Sequence, residues 1–193
     1  MTRKPTIGVL ALQGDVREHL RALEVSGASA LPVRRTTELD AVDGLVIPGG
    51  ESTTITLGVE REGLADPLRE VAAAGTPIFG TCAGMIMLDR AHLGIADYRC
   101  ERNAFGRQIR SFEADLRIPG VEGPAVRAVF IRAPWIASHG DSVEVLASVD
   151  GHPVAARQDN LLVISFHPEL AGETRLHELF LSDVTATCPI PPR

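Results

Sequence analysis

The chain has 193 residues, of which 45% are hydrophobic, and this composition fits one globular domain with a sizeable core. Its net charge of −6 argues against a nucleic-acid partner, and no apolar run approaches the ~20 residues of a membrane span. No signal-peptide pattern precedes the first strand, and three widely spaced cysteines favour a reducing compartment over a disulfide framework. We therefore expect a cytoplasmic protein without a membrane anchor.

The first half of the chain alternates short apolar runs with helical patterns. The predicted strands are 6–12, 30–33, 44–47 and 77–79, and the predicted helices are 16–25, 64–74 and 83–88. Continuous apolar strands of this kind are typical of a parallel sheet that is covered on both faces.

The second half of the chain has a different pattern, in which strands follow one another with Gly and Pro turns between them. The predicted strands are 111–117, 125–131, 143–149, 152–157 and 161–166, and a last helix is predicted at about 173–184. This pattern predicts an antiparallel extension of the parallel sheet. We expect an open three-layer α/β/α domain with a mixed sheet over residues 1–186, followed by a flexible tail over 187–193.

A cysteine stands at a predicted strand-to-helix turn. The run Gly80-Thr81-Cys82-Ala83-Gly84 follows an apolar strand and opens an apolar helix, which is the G-x-C-x-G form of a nucleophile elbow. The glycines are needed because a Cβ would clash in so tight a turn. A helix N-terminus favours a thiolate and an adjacent oxyanion. The alternative is that Cys82 is a buried structural thiol without a catalytic role.

A second apolar run, Leu161-Leu162-Val163-Ile164, leads to Ser165-Phe166-His167-Pro168-Glu169. A thiol nucleophile needs a base, and the base needs a third group that fixes its tautomer. Because alternate residues of a strand point the same way, His167 and Glu169 can supply both functions from one strand end. A histidine that merely caps a strand is the alternative. Together with the elbow, this segment predicts a Cys82–His167–Glu169 catalytic triad.

A third strand, Leu45-Val46-Ile47, runs into Pro48-Gly49-Gly50-Glu51-Ser52. Pro-Gly-Gly alone is often a plain turn. At the carboxyl end of a strand in an open α/β sheet, however, bare backbone N–H groups can face a substrate or an oxyanion.

These segments, in this order, resemble the class I glutamine amidotransferases. Further runs single out the branch formed by the glutaminase subunits of pyridoxal 5′-phosphate synthases, and the resemblance covers nearly the whole chain. The runs that carry it are Leu12-Gln13-Gly14, Glu101-Arg102-Asn103-Ala104-Phe105-Gly106-Arg107 and Phe130-Ile131-Arg132-Ala133-Pro134. The resemblance implies a flavodoxin-like amidotransferase fold, and no cofactor or metal is expected.

The resemblance also implies roles for individual residues. Cys82 would attack the carboxamide of L-glutamine with His167 as base and Glu169 as its orienting partner. The backbone N–H groups of Ala83 and Gly50 would form the oxyanion hole. The residues implied in substrate binding are Gly50, Glu51, Ser52, Arg102, Ile131 and Arg132, and Arg132 could equally serve a structural salt bridge.

The resemblance finally implies a partner, a (β/α)8-barrel synthase subunit that receives the ammonia in a hetero-oligomeric complex. Two other functions stay open from the residues themselves. One is a different thiol hydrolase on a similar fold, and the other is a glutamine-binding subunit without catalysis. Ammonia release from glutamine separates the first from an amidotransferase, and turnover with the partner present separates the second.

Overall fold

The computed structural model describes residues 3–102, 104–105 and 111–187. Among them are eleven strands and six helices. The strands are β1 (Thr6–Leu10), β2 (Ser29–Val33), β3 (Gly44–Ile47), β4 (Ile78–Thr81), β5 (Tyr98–Glu101), β6 (Ser111–Leu116), β7 (Val126–Ile131), β8 (Trp135–His139), β9 (Glu144–Val149), β10 (His152–Gln158) and β11 (Leu161–Ile164). The helices are α1 (Val16–Val25), α2 (Thr36–Leu39), α3 (Ser52–Arg61), α4 (Ala65–Ala73), α5 (Ala83–Leu88) and α6 (Arg175–Thr187).

The centre of the fold is a seven-stranded sheet in the order β2-β1-β3-β4-β11-β10-β9. The first five of these strands pair in parallel, whereas β10 and β9 are antiparallel additions beside β11. The predicted mixed α/β sheet is therefore confirmed. Because β1, β3, β4 and β11 are parallel neighbours, the loops that follow them meet at one edge of the sheet.

Both faces of this sheet are buried. In β1, Ile7 and Val9 belong to one apolar cluster, with Phe180 of α6, whereas Leu10 belongs to a second cluster, with Ile55 of α3. Helices α1 and α6 cover one face and helices α3, α4 and α5 cover the other. This arrangement is the three-layer architecture that continuous apolar strands predicted.

The predicted antiparallel extension is only partly correct. Strands β9 and β10 extend the central sheet, but β6 and β7 form a separate two-stranded sheet, and β5 and β8 form another. The outer face of the β6–β7 pair carries charged residues such as Glu113, Asp115 and Arg127, which bond to one another across the pair. Alternation of apolar residues indicates which face of a strand is buried, but it does not indicate which sheet the strand belongs to.

Several element bounds differ from the predictions. Strand β4 begins and ends later than predicted, at Ile78 and Thr81, and β11 ends earlier, at Ile164. Helix α6 reaches Thr187, so this first residue of the predicted tail is helical, and the rest of that tail lies outside the described residues. Across the described ranges, every helix is too short or too polar to cross a bilayer.

The strand-to-helix turn between β4 and α5 is packed against β3 without spare room. A Cβ on Gly84 would collide with the carbonyl oxygen of Ile47 and would lie 2.7 Å from its carbonyl carbon. Backbone cannot move aside as a flexible side chain can, so an added methyl group must displace either α5 or β3.

We therefore expect Gly84→Ala to lower the free energy of unfolding by about 3 kcal/mol, the upper end of the usual cost of overpacking. Gly27→Ala is the matched control, because nothing lies within 4 Å of its added Cβ although its φ is +97°. This control should cost about 1 kcal/mol from the left-handed backbone alone. Urea unfolding of both variants measures the difference, and equal losses would contradict the packing argument.

Candidate active site

Cys82 occupies the turn between β4 and α5 with a positive φ of 47°. Its N–H donates to the carbonyl of Ile164 over 2.8 Å, which ties the turn to the end of β11. Non-glycine residues adopt this region rarely, and such strain is characteristic of nucleophile elbows. The thiol therefore lies at the carboxyl edge of the sheet and at the first turn of α5, as the motif predicted.

His167 follows β11 after a short bend. Its N–H donates to the carbonyl of Val129 over 2.9 Å, and its ring Nδ1 lies 2.7 Å from Oε1 of Glu169. The predicted pairing of these two residues is present, but the reason given for it was wrong. Strand β11 ends at Ile164, and Glu169 reaches the ring from a turn rather than from the same face of a strand.

The His167 ring is also held by a residue that sequence reasoning did not consider. Oδ2 of Asp15, in the loop between β1 and α1, lies 3.2 Å from His167 Nδ1. The available signal was positional: Asp15 follows Gln13-Gly14 at the carboxyl end of β1, beside the ends of β3, β4 and β11.

Gly49 explains how the ring fits against this loop. A Cβ on Gly49 would strike Cε1 of His167 and would lie 3.1 Å from Oδ2 of Asp15. The Gly49 carbonyl in turn accepts from the N–H of Asp15 over 3.1 Å. The glycine therefore allows the loops after β1 and β3 to close around one imidazole.

Opposing effects act on the acid–base behaviour of His167. Burial by itself lowers the pKa, but hydrogen bonds to Asp15, Cys82 and Glu169 raise it to about 12. Burial raises the pKa of Glu169, while its hydrogen bond to His167 lowers it. Because the pair is buried, with 6% and 0% of the two side chains exposed, its mutual attraction is weakly screened. The imidazole is thus able to keep a proton through the neutral range.

Asp15, His167 and Glu169 also have ligand atoms within 4.8 Å of one another, close enough to hold a metal ion. The short contact between Nδ1 and Oε1 has the geometry of an N–H donor and a carboxylate acceptor. Contacts of the Asp15 and Glu169 carboxylates with the His167 imidazole account for this cluster without an ion.

A pocket of about 300 Å³ opens above the thiol, a volume suited to a small metabolite. It is lined by Gln13, Asp15, Gly50, Glu51, Ser52, Cys82, Ala83, Ile86, Arg102, Ile131, Arg132, His167 and Leu170. The structure therefore brings together the predicted site residues in the pocket lining, except Glu169, which lies behind His167. Gln13, Asp15, Ile86 and Leu170 are additional lining residues that were not predicted as site residues.

One wall of the pocket is built by the start of α3. The carboxylate of Glu51 accepts from the N–H groups of Thr53 and Thr54 over 3.1 and 2.8 Å, and these backbone bonds lower its pKa to about 2. Nη2 of Arg102 lies 3.0 Å from the same carboxylate. The two side chains are about half exposed, so this ion pair is screened by water.

Backbone groups of the predicted oxyanion hole also line the pocket. Ala83 is the first residue of α5, and the first N–H groups of a helix lack intrahelical acceptors. Gly50 has a φ of +154°, and Oε1 of Gln13 accepts the next N–H, from Glu51, over 2.7 Å. On the opposite wall, Arg132 has a φ of +45° directly after β7.

The other described cysteine lies outside the pocket lining. Cys100 is in β5, and burial, with a smaller contribution from Asp89, holds the pKa of its thiol well above its usual value. Such a thiol stays protonated and is a poor nucleophile. Cys188 falls outside the described residues.

The chain is similar to proteins of one known family. The model of the SNO glutamine amidotransferase family matches residues 9–186. Pyridoxal 5′-phosphate synthase subunit PdxT of Mycobacteroides abscessus is 56% identical over 191 residues, which cover 94% of this chain and 98% of that protein. The PdxT subunit of Streptomyces coelicolor is also 56% identical, over 195 residues and 96% of each chain.

Solved structures agree with these sequence similarities. A crystal structure of a glutamine amidotransferase superposes with a TM-score of 0.86 at 44% identity and covers 92% of this chain and 98% of its own. The PurLQS structure from Thermotoga maritima superposes with a TM-score of 0.69 at 18% identity, covering 97% of this chain and 99% of its own. At that identity the second similarity shows the fold alone.

The contact between Asp15 and His167 predicts a shift in pH dependence. Asp15→Asn keeps the size of the side chain but removes the negative charge that helps to raise the pKa of His167. The pKa should fall by about one unit, the low end of the effect of one nearby opposite charge. With a lower pKa, the His167 imidazolium loses its proton at a lower pH. Above that pH it can no longer donate a proton to the leaving ammonia, so the alkaline limb of kcat/KM should move to lower pH.

Asp66→Asn is the control, since Asp66 is an exposed partner of Arg69 and lies outside the pocket lining. Its pH–rate profile should match that of the unmodified protein. Identical alkaline limbs for all three proteins would show that Asp15 does not act on the imidazole.

Proposed function

Because the chain belongs to the SNO glutamine amidotransferase family, we propose that it is a glutaminase. In this proposal it hydrolyses L-glutamine to L-glutamate and ammonia and serves as the glutaminase subunit of a pyridoxal 5′-phosphate synthase. The observation that carries the proposal is that Cys82 and His167 line one small pocket, with His167 hydrogen-bonded to both Cys82 and Glu169.

The reaction begins with attack of the Cys82 sulfur on the side-chain carboxamide carbon. His167 has taken the thiol proton before the C–S bond forms, in keeping with its raised pKa, and the imidazolium later gives this proton to the departing ammonia. Glu169 holds the ring so that Nε2 faces the thiol and stabilises the imidazolium. Water then attacks the thioester, with His167 as base, and releases glutamate.

The tetrahedral intermediates carry an oxyanion on the former carboxamide oxygen. In the proposed mechanism the N–H groups of Ala83 and Gly50 donate to this oxygen. Preorganised donors of this kind act most strongly where water is excluded, and loss of one typically costs about 3–4 kcal/mol of barrier.

Recognition of the amino-acid end of glutamine falls to the upper part of the pocket. A carboxylate is well matched by a guanidinium fork, and Arg102 presents one at the rim. Glu51, Ser52, Ile131 and Arg132 also line the pocket. The length of the substrate between this clamp and Cys82 would distinguish glutamine from asparagine, which is shorter by one methylene group.

The second half of the proposal concerns the fate of the ammonia. The PdxT proteins that resemble this chain are named as subunits of pyridoxal 5′-phosphate synthase. We infer that a (β/α)8-barrel synthase subunit docks at the carboxyl edge of the sheet and receives ammonia in the cytoplasm. Gln13-Gly14 and Gly49-Gly50 lie at that edge, and glycine peptides reorient easily. Docking can therefore switch the oxyanion hole on.

The test is glutamate and ammonia production with and without the purified synthase subunit. We expect low activity alone, a marked rise in the complex, and a loss of more than about a thousandfold in Cys82→Ala. His167→Asn should be nearly as severe and Glu169→Gln milder, whereas Cys100→Ser should retain activity. Hydrolysis of other thiol-hydrolase substrates but not of glutamine would favour a different hydrolase. Binding of glutamine without turnover in the complex would favour a non-catalytic subunit.

The proposed clamp predicts a separation of kinetic constants. Arg102→Ala should raise KM for glutamine about 10- to 100-fold, as expected for loss of a charged hydrogen bond, with a smaller effect on kcat. Arg102→Lys should restore only part of the affinity because an ammonium group lacks the planar fork. Arg99→Ala is the control, since Arg99 is exposed on β5 and does not line the pocket. Unchanged KM in Arg102→Ala would remove this residue from the site.

A further inference from the structure

A second layer of buried polar side chains lies behind the triad. The Glu169 side chain is 0% exposed, and although Oε1 bonds to His167, Oε2 has no hydrogen-bond partner among the described residues. The group that faces Oε2 is Nε2 of His19, at 3.6 Å. A buried carboxylate oxygen that is left bare is costly, so this close polar neighbour needs an explanation.

His19 is itself fully buried on α1 and is held at both ring nitrogens. Its Nε2 lies 3.0 Å from Oγ1 of Thr81, the residue before the nucleophile. Its Nδ1 lies 2.9 Å from Nε2 of His177 on α6, which is also fully buried. The polar chain therefore runs from α6 through α1 to the buried oxygen of the triad carboxylate.

Burial favours the neutral form of both histidines. Burial and, to a smaller extent, the neighbouring His177 and His167 hold the pKa of His19 well below its usual value. Burial lowers the pKa of His177 to about 4, and Nδ1 of His177 has no hydrogen-bond partner among the described residues. A neutral imidazole carries one N–H and one bare nitrogen, so the tautomer decides what each ring offers its neighbours.

The negative carboxylate selects between the two tautomers of His19. A bare Nε2 would direct its lone pair at Glu169 Oε2, and two acceptors would repel each other across 3.6 Å. An Nε2–H directs the positive end of a dipole at the buried anion and can also donate to Thr81. In that tautomer Nδ1 of His19 is an acceptor, which requires His177 to donate from its Nε2.

We propose that His19, with its tautomer fixed by His177, is a positioning residue for the proposed amidohydrolase reaction: it presents an Nε2–H to the second oxygen of Glu169. In this arrangement Glu169 fixes the His167 tautomer, and the two deeper histidines keep Glu169 ionised and in place. The inference rests on the proposed function for its kinetic consequence but not for its structural one.

The charged and titratable groups around Glu169 determine the sign of the pH effect. His167 faces it from the turn after β11, Asp15 and His19 face it from the start of α1, and His177 stands behind His19 on α6. Asp15 and burial raise the Glu169 pKa, and His167 lowers it. Removal of a donor to the ionised form raises the pKa of a carboxyl group further. As the pH is lowered, activity that needs ionised Glu169 should therefore begin to fall at a higher pH than in the unmodified protein.

The kinetic test compares His19→Leu with His19→Gln in the complex with the synthase subunit. His19→Leu removes the donor; it should lower kcat about tenfold, by analogy with losing the partner behind a metal-bound histidine, and leave KM for glutamine unchanged. Its acid limb of kcat should move to higher pH. His19→Gln can place an amide N–H near the position of Nε2 and should restore most of the rate and the original limb.

Phe180→Leu is the matched control for packing, because Phe180 lies on α6 and stacks on Phe79, which also contacts His177. It should lower stability without moving the acid limb. If His19→Leu lowers kcat equally at every pH and its acid limb does not move, then His19 is a packing residue and the inference is overturned.

The tautomer itself is open to a direct measurement that needs no activity. In nitrogen-15 spectra of the full chain, His19 should show a protonated Nε2 and a bare Nδ1, and His177 should show a protonated Nε2. A protonated Nδ1 on His19 would overturn the inference even if the protein is a glutaminase. Conversely, if the tautomers are as expected but the protein does not hydrolyse glutamine, the proposed function is refuted. The hydrogen-bonded arrangement of His177, His19 and Glu169 is then still supported.

Discussion

The close approach of the β4–α5 turn to β3 is the constraint on which the rest of the site depends. With the Gly84 backbone against the Ile47 carbonyl, the turn has room for one conformation, and Cys82 must accept a positive φ within it. The strain is sustained because the parallel ladder fixes both flanks, through β3 on one side and β11 on the other. The Cys82 thiol therefore has a fixed position at the carboxyl edge of the sheet. The residues that contact it lie in the loops that follow the neighbouring strands.

Much of this could be predicted from the sequence because it is local. Elbow glycines, apolar strands and the His-Pro-Glu run each lie within a few residues, and the bounds of α1 and α5 were predicted to the residue. Asp15 and His19 could not be found in this way. They reach the triad through β1 and α1, whose position beside β3 and β4 is a result of sheet order rather than of sequence spacing. The separate β6–β7 pair was missed for the same reason, since alternation of apolar residues does not specify a partner strand, and β5 and β8 were not predicted as strands at all.

The two ion pairs of the site differ in their surroundings, and this difference separates catalysis from recognition. The His167 and Glu169 side chains are 6% and 0% exposed, so their mutual attraction is weakly screened by solvent. Glu51 and Arg102 are about half exposed, and water and salt weaken their attraction.

An Arg102 that is held loosely can exchange the Glu51 carboxylate for the carboxylate of an incoming amino acid at little cost. Glu51 keeps its N–H donors from Thr53 and Thr54 after such an exchange, so it remains satisfied without the guanidinium. The buried pair has no equivalent substitute, because the Glu169 side chain is sealed from solvent and burial favours the neutral form of His19, the neighbour of its second oxygen. In the proposed function, the molecule thus combines a buried acid–base pair with a half-exposed arginine that binds the substrate carboxylate. Substitutions at the clamp should therefore act mainly on affinity, and substitutions behind the triad mainly on the rate.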